Sequence, residues 1–248
     1  MKAFLRTWLT LMRPAALPTI WSNCLAGWWL GCAGDEPHLP FLFGGVTLLY
    51  LGGAFLNDAF DAKFDKKHRR TRPIPSGAVG LQTVWNCGFV CLALGAVCLF
   101  WIGETTGILG VILAFCIVGY NLIHRALPLS TVLLAICRLF VYLVGASSAS
   151  EGVTGWSIWC GIALAFYLMG MRRIVRPKLM PIAERYWALV PLCAPIPLAV
   201  IMNQGPFLQP ALLLSAVLAL WCARALRPTL WSEEKDLPQT ARGLLAGR

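Results

Sequence analysis

Three acids and an amide stand at the end of an otherwise apolar stretch. PFLFGGVTLLYLGGAFL (40–56) runs directly into Asn57, Asp58, Asp61 and Asp65, within NDAFDAKFDKKHRRTRPIPSG (57–77). On a helix, residues three and four apart share a face, so Asn57, Asp61 and Asp65 form one column with Asp58 beside Asp61. Oxygen ligands grouped this way suit Mg²⁺, which takes one or two carboxylates and completes its shell with water and substrate phosphate. Six Lys and Arg follow within positions 63–72, Arg69, Arg70 and Arg72 among them, and such groups hold phosphate oxygens directly. Many membrane helices simply end in solvated charge. Acids at i, i+3 and i+7 with an adjoining Asn are more ordered than that requires, and carboxylates at the mouth of a membrane helix indicate function by default.

The elements that must position these residues are membrane helices. The chain has 248 residues, 58% hydrophobic and 13% charged, whereas soluble domains carry nearer a quarter charged residues. A polytopic, all-α bundle of about eight transmembrane helices is expected, with one membrane domain over 1–227 and a polar cytoplasmic tail over 228–248. A net charge of +10 in a soluble chain would point to nucleic acid; here its distribution over loops accounts for it, and no nucleic-acid partner is expected. None of the ten Cys forms CxxC, so metal or redox spacing is absent and they read as small buried hydrophobes. His38 and His124 stand isolated, and His68 belongs to the basic run as a solvated residue.

Apolar runs long enough to span, about 17–25 residues, are expected near 15–33, 40–57, 81–102, 108–123, 130–148, 156–171, 186–202 and 207–226. Lys2, Arg6 and Arg13 precede the first without a convincing cleavage site, so it reads as a span. Loops after the odd-numbered spans contain Asp35, Glu36, Glu104 and Glu151 but no Lys or Arg, while 20 of the 21 basic residues lie on the other side. By the positive-inside rule, both termini and the long polar loops 58–80 and 172–185 are cytoplasmic, in a bacterial inner membrane. The exception is Arg138, mid-span. A charge there costs about 2.5–3.5 kcal/mol on insertion scales and faces the bundle interior or an aqueous cavity. Tyr120, Asn121 and Tyr142 are further candidates for polar contacts in that cavity. Gly52 and Gly53 read as close helix packing, and Pro191, Pro195 and Pro197 as tolerated breaks.

A polar cap over an apolar bundle matches a substrate with an anionic head and a greasy tail, such as an isoprenoid diphosphate. At this point the chain resembles the UbiA-type intramembrane prenyltransferases. Their NDxxDxxxD signature is present as Asn57, Asp58, Asp61 and Asp65, RPIPSG (72–77) resembles their arginine–proline loop, and MRPAALPTIWSNCLAG (12–27) resembles their first helix. The resemblance implies a helical bundle around a central cavity open sideways to lipid. It implies Mg²⁺ on Asn57, Asp61 and Asp65 with Asp58 in support, phosphate held by Arg69, Arg70 and Arg72, and Arg13 and Asn23 facing the same cavity. Departure of diphosphate would leave an allylic cation that alkylates a small acceptor.

The chain departs from that pattern at the sixth span, where the family carries a second motif, DxxxD. Here the sequence is YLMGMRRIVRPKLMP, with no acid between Glu151 and Glu184. Either Arg172, Arg173, Arg176 and Lys178 replace the second metal's charge and join in substrate binding, or catalysis is lost and the protein binds or moves a lipid diphosphate or small metabolite. Tyr167, Gly170 and Arg176 resemble the EboC-type subgroup, which also lacks the second motif. A CDP-alcohol type of head-group transferase would need DGxxAR, which is absent. Acceptor, prenyl length and oligomeric state are not legible.

Overall fold

A computed structural model describes residues 2–33, 38–124, 129–175 and 189–230, with side chains described for 4–33, 38–124, 130–172 and 189–224. Every regular element among these residues is helical. They are α1 (Lys2–Met12), a 3₁₀ turn (Pro14–Ala16), α2 (Leu17–Leu30), α3 (Leu39–His68), α4 (Leu81–Ile102), α5 (Glu104–Ile123) and α6 (Leu129–Ser147). There follow α7 (Gly155–Val175), α8 (Leu189–Leu192), α9 (Pro195–Met202) and α10 (Leu208–Leu230), with a second 3₁₀ turn (Gly205–Phe207) before α10. Five helices among the described residues are long and apolar enough to cross a membrane, beginning with Leu39–His68 and ending with Gly205–Arg224.

The chain forms two compact units, Met1–Ile158 and Trp159–Arg248. In the first, α3 touches α1, α2, α4 and α5, and α6 packs on α2 and α5. Its core joins Cys24 and Trp28 of α2, Leu42, Val46, Leu49 and Leu56 of α3, Leu92 and Leu99 of α4, and Val141 and Val144 of α6. In the second, Tyr167, Leu168, Met171, Leu192 and Cys222 form a smaller core.

Three differences from the expected spans have local causes. The first apolar run is not one helix from the N-terminus: Pro14 disfavours a helical residue before it, and Arg13 takes left-handed φ 47 and ψ 56, separating α1 from α2. The second run does not end at Asn57, and the loop expected from Asp58 begins only at Arg69. At ~1.5 Å per residue the 30 residues of α3 reach about 45 Å, more than the ~30 Å hydrocarbon core needs. The seventh run is broken into α8 and α9, with Pro191 and Pro195 at the interruption. The expected tail boundary at 228 falls inside α10, and 231–248 lie outside the described residues.

Glycines bring the helices of the first unit together. A Cβ on Gly52 would lie 2.8 Å from the Gly88 carbonyl oxygen, and one on Gly45 3.2 Å from that of Gly95, so two glycine pairs one heptad apart seat α3 on α4. On α2 and α6, Gly27 meets the Tyr142 carbonyl and Gly145 the Cys24 carbonyl. The helices therefore approach backbone to backbone, as small residues allow in membrane bundles. Gly52→Ala should cost about 1–3 kcal/mol of stability through overpacking. Gly44→Ala, which meets nothing within 4 Å, should be neutral or mildly stabilising; thermal melts in detergent compare the two.

Candidate functional site

The three acids of the α3 motif share a face, and all are buried: Asp58 is 7% exposed, Asp61 8% and Asp65 1%. Buried carboxylates require partners, and each finds one from a different part of the chain. Arg13, at the kink between α1 and α2, donates from Nη2 to Asn57 Oδ1 (3.1 Å) and to Asp58 Oδ1. Arg72 of the loop after α3 donates from Nη1 to Asp65 Oδ2 (2.9 Å) and to Asp58 Oδ1 (3.2 Å). His124, just past α5, donates from Nε2 to Asp61 Oδ1 (2.8 Å). Its Nδ1 faces the Asn121 carbonyl oxygen at 2.8 Å. Both ring nitrogens thus face oxygen atoms, one of the Asp61 carboxylate and one of the α5 backbone.

The loop that carries Arg72 is a compact turn. Ser76 N–H donates to the Arg72 carbonyl (3.0 Å), Gly77 N–H to Ile74 (3.1 Å) and Val79 N–H to Pro73 (3.3 Å). Gly77 has φ 76, which glycine accepts without steric cost. Val79 then anchors the loop among Leu11, Phe55, Ala59 and Val84, so RPIPSG is folded back onto α3 with Arg72 over the acids. On the other flank, Asn57 Nδ2 donates to Asn121 Oδ1 and Asn121 Nδ2 to the Gly53 carbonyl, each at 3.1 Å.

The structure thus gathers Asn57, Asp58, Asp61, Asp65, Arg13 and Arg72, with Asn121. Arg69 and Arg70 are exposed, and neither returns to the acids as Arg72 does. Asn23 is half-buried on α2, and no hydrogen bond among the described residues ties it to the cluster. Arg138 is half-buried on α6. Arg172 is half-buried on α7 in the second unit, while the Arg173 side chain, Arg176 and Lys178 lie outside the described residues. The reading of His124 as isolated is corrected: its ring holds Asp61. The available signal was Asn121 and His124 at i and i+3, two polar residues sharing a face at the end of an apolar span.

The donor set fits Mg²⁺. All three candidate ligands, Asn57, Asp61 and Asp65, offer oxygen, and Asp65 Oδ1 is buried with no hydrogen-bond partner, an acceptor left for a cation or a bound water. Among the described residues no three His, Cys, Asp or Glu converge into a cage. Mg²⁺ does not need one, since it keeps waters and substrate phosphate in its shell.

The UbiA prenyltransferase family matches residues 15–176, about two thirds of the chain and all of this cluster except Arg13. The chain belongs to that family. It is 28% identical over 150 residues to digeranylgeranylglyceryl phosphate synthase of Methanosarcina mazei, covering 52% of this chain and 50% of that protein. To 4-hydroxybenzoate solanesyltransferase of Synechocystis it is 28% identical over 182 residues, covering 66% and 59%. The match therefore spans about half the length of these relatives. The UbiA-family fold is shared with a solved UbiA homologue of Archaeoglobus fulgidus bound to GPP and Mg²⁺, at TM-score 0.73 and 15% identity, covering 97% of this chain and 98% of that one.

Arg72 holds two buried acids, so Arg72→Ala should lower stability by about 1–3 kcal/mol through the unsatisfied Asp65. Arg70→Ala at an exposed position should stay within about 0.5 kcal/mol. Urea-induced unfolding in detergent reads both.

Proposed function

We propose that this UbiA-family chain transfers a prenyl group from an allylic isoprenoid diphosphate to a small nucleophilic acceptor, aromatic or otherwise, within the membrane. The observation that carries the reading is the buried oxygen column of α3, with an unpartnered Asp65 oxygen and two guanidiniums beside it. Homologues named as prenyltransferases and the GPP- and Mg²⁺-bound relative support it.

Asn57, Asp61 and Asp65 would hold Mg²⁺, with Asp58 fixing Arg13 and Arg72 beside it. Bound there, the ion supplies positive charge against the diphosphate leaving group. Arg13 and Arg72 already sit at that place, and each has guanidinium N–H groups to offer a phosphate oxygen. Arg69 and Arg70, exposed at the end of α3, extend the positive field toward arriving diphosphate. His124 and Asn121 keep Asp61 and Asn57 in orientation. The bond from allylic carbon to diphosphate oxygen breaks, its electron pair leaves with pyrophosphate, and the acceptor's nucleophile forms the new bond to carbon and releases a proton. Apolar walls protect the developing cation from water, and half-buried Arg138 offers a cation to the acceptor or diphosphate. The excess of Lys and Arg just after the acidic turns supports a cytoplasmic position for them.

With geranyl diphosphate, Mg²⁺ and an acceptor such as 4-hydroxybenzoate or a glyceryl phosphate lipid, the purified chain should release pyrophosphate. Asp61→Asn and Asp65→Asn should each reduce release at least 100-fold, on the scale of losing an electrostatic stabiliser, and EDTA should abolish it. Binding of the diphosphate without release, over a broad acceptor panel, would sink the enzyme reading and leave a carrier.

A further inference from the structure

Arg13 is held in a conformation that it does not favour. Its φ of 47 and ψ of 56 place a residue with a Cβ in the left-handed region, normally the territory of glycine and asparagine. Such a residue persists only where its surroundings over-determine it. Within the chain's own turn, the Arg13 N–H donates to the Leu9 carbonyl (3.2 Å), and the Ala16 N–H donates to the Arg13 carbonyl (3.2 Å). The remaining restraint comes from elsewhere: the Tyr50 hydroxyl donates to the same Arg13 carbonyl oxygen at 2.8 Å.

Tyr50 stands on α3 seven residues before Asn57, two turns away on the same face. The helix that presents the acids therefore also carries the hydroxyl that fixes the backbone behind their first counter-ion. Arg13 is attached to α3 at both ends, by its carbonyl to Tyr50 and by its guanidinium to Asn57 and Asp58. The Tyr50 ring packs against the core of the first unit, so the hydroxyl is presented from a fixed base. Without it the Arg13 carbonyl keeps only the Ala16 N–H, and the left-handed junction can relax toward an ordinary φ. That relaxation would swing the guanidinium off Asp58.

We propose that Tyr50 is a positioning residue, acting through the Arg13 backbone to aim the Arg13 guanidinium at the acid column and so at the diphosphate head group. The proposal rests on the prenyl-transfer reading for its catalytic consequence but not for its structural one. Tyr50→Phe removes a single oxygen and keeps the ring. In the full-length chain in detergent, hydrogen–deuterium exchange at the Arg13 and Ala16 amides should speed up about five- to tenfold, the worth of one hydrogen bond. The KM for geranyl diphosphate with Mg²⁺ should rise by a similar factor with kcat within about twofold. In an Arg13→Ala background, assayed at high enzyme concentration, Tyr50→Phe should change KM no further, because both changes act on one interaction. Unchanged exchange at Arg13 and Ala16 overturns the proposal. So does a KM rise that persists in the Arg13→Ala background, which would assign Tyr50 a direct contact with substrate. If the wild-type chain shows no turnover, prenyl transfer alone fails, and the exchange measurement still decides for or against Tyr50.

Discussion

Three buried carboxylates on one face of α3 are met by two guanidiniums and an imidazole that arrive from separate stretches of chain. Isolated ionised acids do not tolerate burial, and removing one partner of a buried pair is far more damaging than never having built it. The α1–α2 kink, the loop after α3 and the end of α5 are therefore drawn to the same two turns, because Arg13, Arg72 and His124 each satisfy an acid there. The balance is nevertheless incomplete, since Asp65 keeps a buried oxygen without a partner. A site poised in this way holds its own charges in register and still has an acceptor to offer a cation.

The same arrangement explains why structural and chemical roles overlap. Arg13 and Arg72 neutralise the acids, and in the proposed reaction they also meet phosphate. A guanidinium has five N–H donors in a fixed fork, so it can keep a carboxylate on one edge while offering another to a ligand. Burial of the acids strengthens both interactions, because the surroundings screen charge less than water does.

Backbone proximity sets the scaffold. The α3–α4 and α2–α6 pairs are closed by glycines that meet carbonyl groups, which leaves no slack for α3 to shift its acids relative to its neighbours. The second unit has its own small core of Tyr167, Leu168, Met171, Leu192 and Cys222. The sequence after Met171 is basic, and the chain has no acid between Glu151 and Glu184. Metal ligation in the proposed reaction therefore rests on the α3 column alone.

Much of this was legible in the residue order. An apolar stretch ending in Asn57, Asp58, Asp61 and Asp65 specifies a membrane helix with oxygen ligands on one face, since helical period and side-chain chemistry are local properties. The RPIPSG turn and the sorting of basic residues to alternate loops are local in the same sense. The point at which α3 stops, His68, was not, because Lys and Arg are good helix formers and nothing before Pro73 marks an end. Nor was the role of His124, which depends on packing that brings α5 beside α3. The left-handed Arg13 and its tie to Tyr50 belong to the same class. Sequence alone determined which oxygen and guanidinium groups are available around the end of α3. Tertiary structure decided which of the many Arg side chains faces them, because burial, not composition, selects the partner of a buried charge.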